Sequence, residues 1–177
     1  MINQTSKTIF MKKIFLVILL PFFFNTSNAQ NNLKVKINNT LDAWHKAATE
    51  ANFKNYFDTL TEDAIFIGTD ATENWNKTAF QAYAKPYFDK GKAWNFTALE
   101  RHIYFSEDKK TAWFDELLDT QMKICRGSGV LVLINKHWKI KQYVLSMTIP
   151  NDTSDQVIKI KTPIEEILII DLKNKKK

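Results

Sequence analysis

The chain has 177 residues and a formal net charge of +6, but that charge sits at its ends. Residues 1–29 hold Lys7, Lys12 and Lys13 and no acid, and Lys173, Lys175, Lys176 and Lys177 close the chain, so residues 30–172 carry 18 basic against 19 acidic side chains. A nearly neutral body excludes a nucleic-acid surface, which needs Lys and Arg gathered on a folded face, and a single cysteine excludes an internal disulfide.

Residues 1–29 read as a targeting segment. Lys12 and Lys13 precede an apolar run from Ile14 to Phe24, and Ser27-Asn28-Ala29 offers small residues where a signal peptidase cuts. Cleavage near Ala29 is expected, with export to the periplasm or outside the cell, leaving one domain of about 148 residues. The apolar run is about eleven residues, too short for a spanning helix of about twenty, and no later segment of the mature chain approaches that length without charges. The expected organisation is a signal peptide over 1–29, one domain over 30–152 and an extension with a lysine tail over 153–177.

Leu33, Ile37, Leu41, Trp44, Ala48 and Ala51 recur at three- and four-residue steps, predicting a helix from about Leu33 to Ala51. A shorter helix follows over Phe53 to Leu60. Ala64 to Thr69 has strand composition and ends in the turn-forming DATENW loop. Phe80, Tyr83, Ala84, Tyr87 and Phe88 return to helical spacing over Lys77 to Lys90, with Asn76 as N-cap, Pro86 as a kink or end of the regular part, and Gly91 as the stop. Four strands then follow: Trp94 to Phe105, Thr111 to Gln121, Gly127 to Asn135 and Trp138 to Thr148, joined by short polar turns such as EDKK and NK. Helices segregated against one curved antiparallel sheet make an α+β cone with a cavity between the layers.

This element order, with LDAWHKAA near the start, GTDATENWNK in the middle and RGSGVLVLINKHWKIKQYVLSMTIPND toward the end, resembles the nuclear transport factor 2-like superfamily and, within it, the SnoaL-like proteins. The resemblance spans about Leu33 to Asp152. It implies a cone-shaped domain, a homodimer through the open face of the sheet, and a range of roles from enzyme to binding module. Many relatives carry a histidine where this chain has Val144, so histidine-based acid–base chemistry does not carry over. Ketosteroid isomerase belongs to the superfamily, but its tyrosine and paired aspartates find no match here.

Strand side chains alternate faces, so with Trp138 and Ile140 inside the cone, Gln142, Val144 and Ser146 are expected inside as well. The resemblance places Phe114, Glu116 and Leu118 on the same inner face, with Trp113, Asp115 and Asp119 outside, and Arg126 opening the next strand. Glu116 and Arg126 are then expected to pair or to bind a ligand group, because a buried charge without a partner is very costly. Glu116 is the candidate acid or base, and the sign of its pKa shift decides between a proton carrier and an anchor. Arg126 would hold an anionic or carbonyl group with its forked donors.

Asp70, Glu73 and Trp75 are expected at the pocket mouth, or as loop and cap residues. Arg101 and His102 lie mid-strand, where either lines the cavity or serves the core, and Trp44 and Tyr87 are among the aromatics that build core or cavity wall, favouring a flat apolar ligand. His45 and His137 read as exposed or structural. Three histidines with no close pairing give no metal site. Gly127-Ser128-Gly129 begins a strand, so a bulge or close packing accounts for it better than a phosphate loop. Beyond Pro150, Thr162-Pro163-Ile164-Glu165 reads as a capping box opening a short helix through Leu172, whose isoleucines need cover from the body or a dimer partner.

Together these readings suggest an exported, dimeric domain that binds a small, partly apolar molecule in its cone without a cofactor. The alternatives are a cofactor-independent isomerase, cyclase or dehydratase working through Glu116, and an interaction module with a filled cone.

Overall fold

The computed structural model describes residues 30–175; the expected signal peptide lies outside the described residues. Helix α1 (residues 30–49) buries Ile37, Leu41, Trp44, His45, Ala47 and Ala48, the face that the three- and four-residue spacing picks out. Helix α2 (Phe53–Asp58) begins at Asn52, whose side chain accepts a hydrogen bond from the Asn55 amide at 3.0 Å. Strands β1 (Leu60–Ile67) and β2 (Asn74–Asn76) form a hairpin around the DATE turn. Helix α3 (Lys77–Asp89) is capped by Asn76, which accepts from the Ala79 amide at 2.9 Å. Pro86 does not end α3, which runs three residues further. Its ring faces solvent near the C-terminus, where one missing amide costs little, and Gly91 at φ 69° then stops the chain from continuing.

Strands β3 (Phe96–Phe105), β4 (Thr111–Thr120), β5 (Lys123–Ile134) and β6 (His137–Met147) complete a six-stranded open sheet of order β2-β1-β6-β5-β4-β3. The α+β architecture is the expected one. The sheet is mixed rather than wholly antiparallel, because β6 returns alongside β1 in parallel, with Phe66 opposite Tyr143. The β5–β6 hairpin turns on Asn135 and Lys136, both with positive φ (49° and 67°), the conformation a two-residue turn between twisted strands requires.

Two bulges decide which side chains enter the cone. In β3 the pairing with β4 slips between Ala98 and Glu100, and in β6 the pairing with β5 slips between Ile140 and Gln142, leaving Lys141 as the extra residue. An inserted residue reverses the alternation beyond it. Trp138 and Ile140 therefore point inward, but past the bulge the inward residues are Tyr143 and Leu145. The core joins these to the α1 face, to Phe57, Phe80 and Phe88 from the other helices, and to Phe114, Leu118 and Leu131 from the sheet.

The extension is one 22-residue helix, α4 (Ser154–Lys175), entered through a 3-10 turn at Asn151–Thr153. This corrects the capping-box reading: Thr162 lies inside the helix and its hydroxyl donates to the Ile158 carbonyl at 2.6 Å, so it caps nothing, and Pro163 is interior. No residue of α4 is buried, and Ile160 and Ile164 are each 72% exposed, so the body does not cover the isoleucines.

Candidate functional site

Glu116 on β4 is buried, and side chains of three residues converge on it. Oε1 accepts from the Tyr143 hydroxyl at 3.0 Å and lies 2.9 Å from His45 Nε2. Oε2 accepts from Arg101 Nε at 2.8 Å. Arg101 Nη2 is also 2.8 Å from Oε2, an ionic contact without the angle of a hydrogen bond. Arg101 in turn donates through Nη1 to Asp42 Oδ1 at 2.8 Å and to Asn38 Oδ1 at 3.0 Å. Asn38, Asp42 and His45 sit at i, i+4 and i+7 on α1, so this cluster fastens one face of that helix to the sheet.

Burial pushes the Glu116 carboxyl upward, but the hydrogen bond and charge of His45, together with those of Arg101, outweigh it and hold it below its ordinary value. An ionised Glu116 requires the proton of His45 on Nε2, facing it. Burial raises Tyr143 well above the ordinary phenol value, and the adjacent Glu116 charge raises it further. The arrangement is an anchored anion with its neighbours locked as donors.

Gly127 makes this geometry possible. It pairs with Glu116 across the β4–β5 ladder, and a Cβ there would meet the Tyr143 hydroxyl at 2.2 Å. At Gly129 an added Cβ would meet the Gln142 backbone carbonyl oxygen at 2.4 Å and the Phe114 ring at 2.9 Å. The GSG sequence is thus explained by close approach of side chains and neighbouring backbone, not by a bulge of its own.

Several expectations about the inner face are corrected. Arg126 is exposed on the outer face, because β5 starts at Lys123 and its register puts Gly127, not Arg126, opposite Glu116. The guanidinium that meets Glu116 is that of Arg101. Gln142 and Ser146 are exposed on the outer face, turned there by the Lys141 bulge. His102 is also outside, one residue from the inward Arg101, with Nδ1 3.1 Å from Asp115 and Nε2 3.1 Å from Glu100. Trp138, Phe114 and Trp44 do face inward but serve the core: Trp44 stacks on Tyr56 at 4.9 Å, and Phe114 and Trp138 pack on Tyr143 and Phe105. His45, read as exposed or structural, is buried.

A groove of about 400 Å³ lined by Asp42, His45, Lys46, Thr49 and Asn95 reaches members of this cluster but not Glu116 itself, and the aromatic open space lies elsewhere. A cavity of about 160 Å³ is walled by Phe66, Trp75, Phe80, Tyr83 and Trp94, with Glu73, Gln121 and Met122 at its edge. A groove of about 500 Å³ adjoins it, sharing Tyr83, Trp94 and Gln121 and adding Tyr87 and Lys92. Trp75 and Glu73 line the cavity and Tyr87 lines the groove, while Asp70 is an exposed turn residue whose carboxylate accepts from the Thr72 amide and hydroxyl. Glu116 lines neither space. Tyr83 and Trp94 are among the aromatics that the sequence divides between core and cavity wall, whereas Gln121 and Met122 were missed because they lie in a turn, where periodicity carries no signal. Among the described residues no group of three or more His, Cys, Asp or Glu side chains is placed to hold a metal ion, and no helix is long and apolar enough to cross a membrane.

Solved structures share this architecture at low identity. A nuclear transport factor 2-like protein of unknown function from Pseudomonas putida is 12% identical, with a TM-score of 0.56 over 67% of this chain and 89% of that one. A proposed dehydratase of the same family from Streptomyces avermitilis is 9% identical, with a TM-score of 0.58 over 69% and 99%. A proposed aromatic ring hydroxylase from Novosphingobium aromaticivorans is 16% identical, with a TM-score of 0.56 over 66% and 89%. No curated protein matches the chain. The family model of the SnoaL-like domain matches residues 37–150, which hold the Glu116 cluster and the aromatic cavity, and the chain belongs to that family, with a fold shared by solved nuclear transport factor 2-like proteins.

Proposed function

We propose that this protein is an exported, dimeric binding domain that takes a small, partly apolar molecule into the aromatic cavity at the wide end of its cone. The observation that carries the reading is that Glu116 and its partners stand apart from the aromatic space. The buried carboxylate is saturated by Tyr143, His45 and Arg101, whereas the cavity and its groove are open and walled by aromatic rings. A largely apolar concavity with a few polar groups at its edge is the usual form of a small-molecule site. Export rests on the lysine, apolar run and Ser-Asn-Ala pattern of residues 1–29, and the dimer on the family resemblance and on exposed apolar residues of the outer sheet face such as Trp113 and Tyr104.

The alternative, a cofactor-independent isomerase, cyclase or dehydratase acting through Glu116, has weaker support, although one structural neighbour is itself a proposed dehydratase. A general acid or base must reach the reacting group directly or through one water, and Glu116 lines neither the cavity nor the groove.

Tryptophan fluorescence and NMR titration of the purified protein with flat aromatic compounds test the binding reading. Saturable shifts centred on Trp75, Tyr83 and Trp94, retained in Glu116→Gln, are expected. Turnover of a bound compound that Glu116→Gln abolishes while binding persists would move the assignment to the enzyme.

A further inference from the structure

We propose that the cavity selects flat rings bearing a positively charged amino group, the ring extending a stack of aromatic side chains and the ammonium set against Glu73; this rests on the binding reading above. Phe66, Trp75, Phe80, Tyr83 and Trp94 are nearly parallel rather than arranged as a box. Phe66 stacks on Phe80 at 3.9 Å and 17°, Trp75 on Phe80 at 5.7 Å and 9°, Trp75 on Tyr83 at 4.5 Å and 24°, and Phe80 on Trp94 at 5.8 Å and 21°. A flat ring entering parallel to such an array continues it at favourable separation. The space of about 160 Å³ suits one ring system, since an apolar cavity of about 150 Å³ holds benzene. Ring atoms on the side away from the ammonium arm extend toward the adjoining groove.

Charge comes from one residue. Among the described residues Glu73 is the only ionisable acid or base in the cavity wall apart from the Tyr83 phenol. Its Oε2 accepts from the Asp70 amide at 3.1 Å, and among the described residues no Lys, Arg or His nitrogen lies within ion-pair distance of it. Its seat is built: Gly68 lines the same wall, and a Cβ at Gly68 would stand 2.1 Å from that oxygen, so the missing side chain is the space the carboxylate occupies. Gly68 also donates its amide to the Glu73 carbonyl at 3.0 Å, fixing the two together. The negative faces of the rings add to the attraction for a cation. Burial raises the Tyr83 phenol, Tyr87 raises it further, and the Glu73 charge contributes in the same direction, so the carboxylate is electrostatically felt inside the cavity. On the far side of the groove Lys92 is exposed and would favour an anion, which gives the test its opposing arm.

Isothermal titration of the full protein with tryptamine, tryptophol and indole-3-acetate separates the outcomes, because the three carry one ring with a cationic, neutral or anionic side chain. Tryptamine is expected to bind roughly 5-fold tighter than tryptophol, the size of a partly exposed ion pair, and the anion most weakly. Glu73→Gln should bring the ratio of tryptamine to tryptophol affinity to about one, and Glu73→Lys should reverse the order. Equal affinity of tryptamine and tryptophol, or preference for indole-3-acetate, overturns the charge selection while leaving the aromatic cavity as the binding site. Failure of all three to bind at millimolar concentration overturns both.

Discussion

Two acid–base pairs occupy adjacent rungs of the same two strands and face opposite ways. Arg101 pairs with Glu116 inside the cone, and His102 with Asp115 on the outer face, at neighbouring positions of the β3–β4 ladder. The inner side chains are 6% and 0% exposed; the outer ones are 51% and 42% exposed. One step along a strand therefore converts a solvated contact into a clamp on helix α1, through Asn38, Asp42 and His45. The same chemistry is structural or nearly neutral according to which face the pleat gives it.

The largest effect should come from breaking the inner pair. Glu116→Ala leaves Arg101 and His45 facing an empty position and is expected to lower stability by about 3–5 kcal/mol, read from the midpoint of urea unfolding. A loss under about 1 kcal/mol would mean that the clamp is dispensable. The pH dependence carries the same sign. The folded carboxyl lies below its ordinary value of 4.5, so its stabilisation is complete above the unfolded value and disappears as pH falls through the depressed folded one. Acid unfolding of Glu116→Gln should therefore be shallower below about pH 4 than that of the parent.

Gly127→Ala comes next, because its Cβ would collide with the Tyr143 hydroxyl at 2.2 Å and displace the phenol from Glu116. Overpacking of this kind costs about 1–3 kcal/mol. The informative comparison is Gly127→Ala combined with Tyr143→Phe: the hydroxyl that clashes is gone, so the double variant should lie above the sum of the singles in a thermal-melt cycle. Strict additivity would show that the glycine is needed for another reason.

The interior face of α1 was legible because helical spacing repeats over five turns, and His45 falls on that face, four residues after Leu41. Its partner was not legible, since Glu116 lies 71 residues further along the chain. On β4 the resemblance supplied the phase that put Phe114, Glu116 and Leu118 on the inner face, and alternation holds along it because nothing interrupts its ladder with β5. Alternation failed on β6, where the polar pair Lys141-Gln142 interrupts the pattern in K-I-K-Q-Y and a strict phase was carried across it; the pairing with β5 makes Lys141 the extra residue and reverses the phase beyond it. Arg126 was misplaced because the sequence suggested a strand beginning at Gly127 rather than Lys123, which hides the outward phase of its first residues. Trp75 and Glu73 were legible at the mouth because turn composition marks the DATE loop.

The outer pair should give the smallest effect. His102 lies between Glu100 and Asp115, each 3.1 Å away, with all three side chains about half exposed. Water replaces most of what either contact supplies, so Asp115→Asn is expected to change monomer stability by about 0.2–1 kcal/mol at most, and less in high salt. The outer face is also where the proposed dimer would form. If it does, the same substitution should shift the dimer dissociation constant, measured by sedimentation, by more than it shifts unfolding of the monomer, because desolvation in the interface would give the outer rung part of the character that burial gives the inner one.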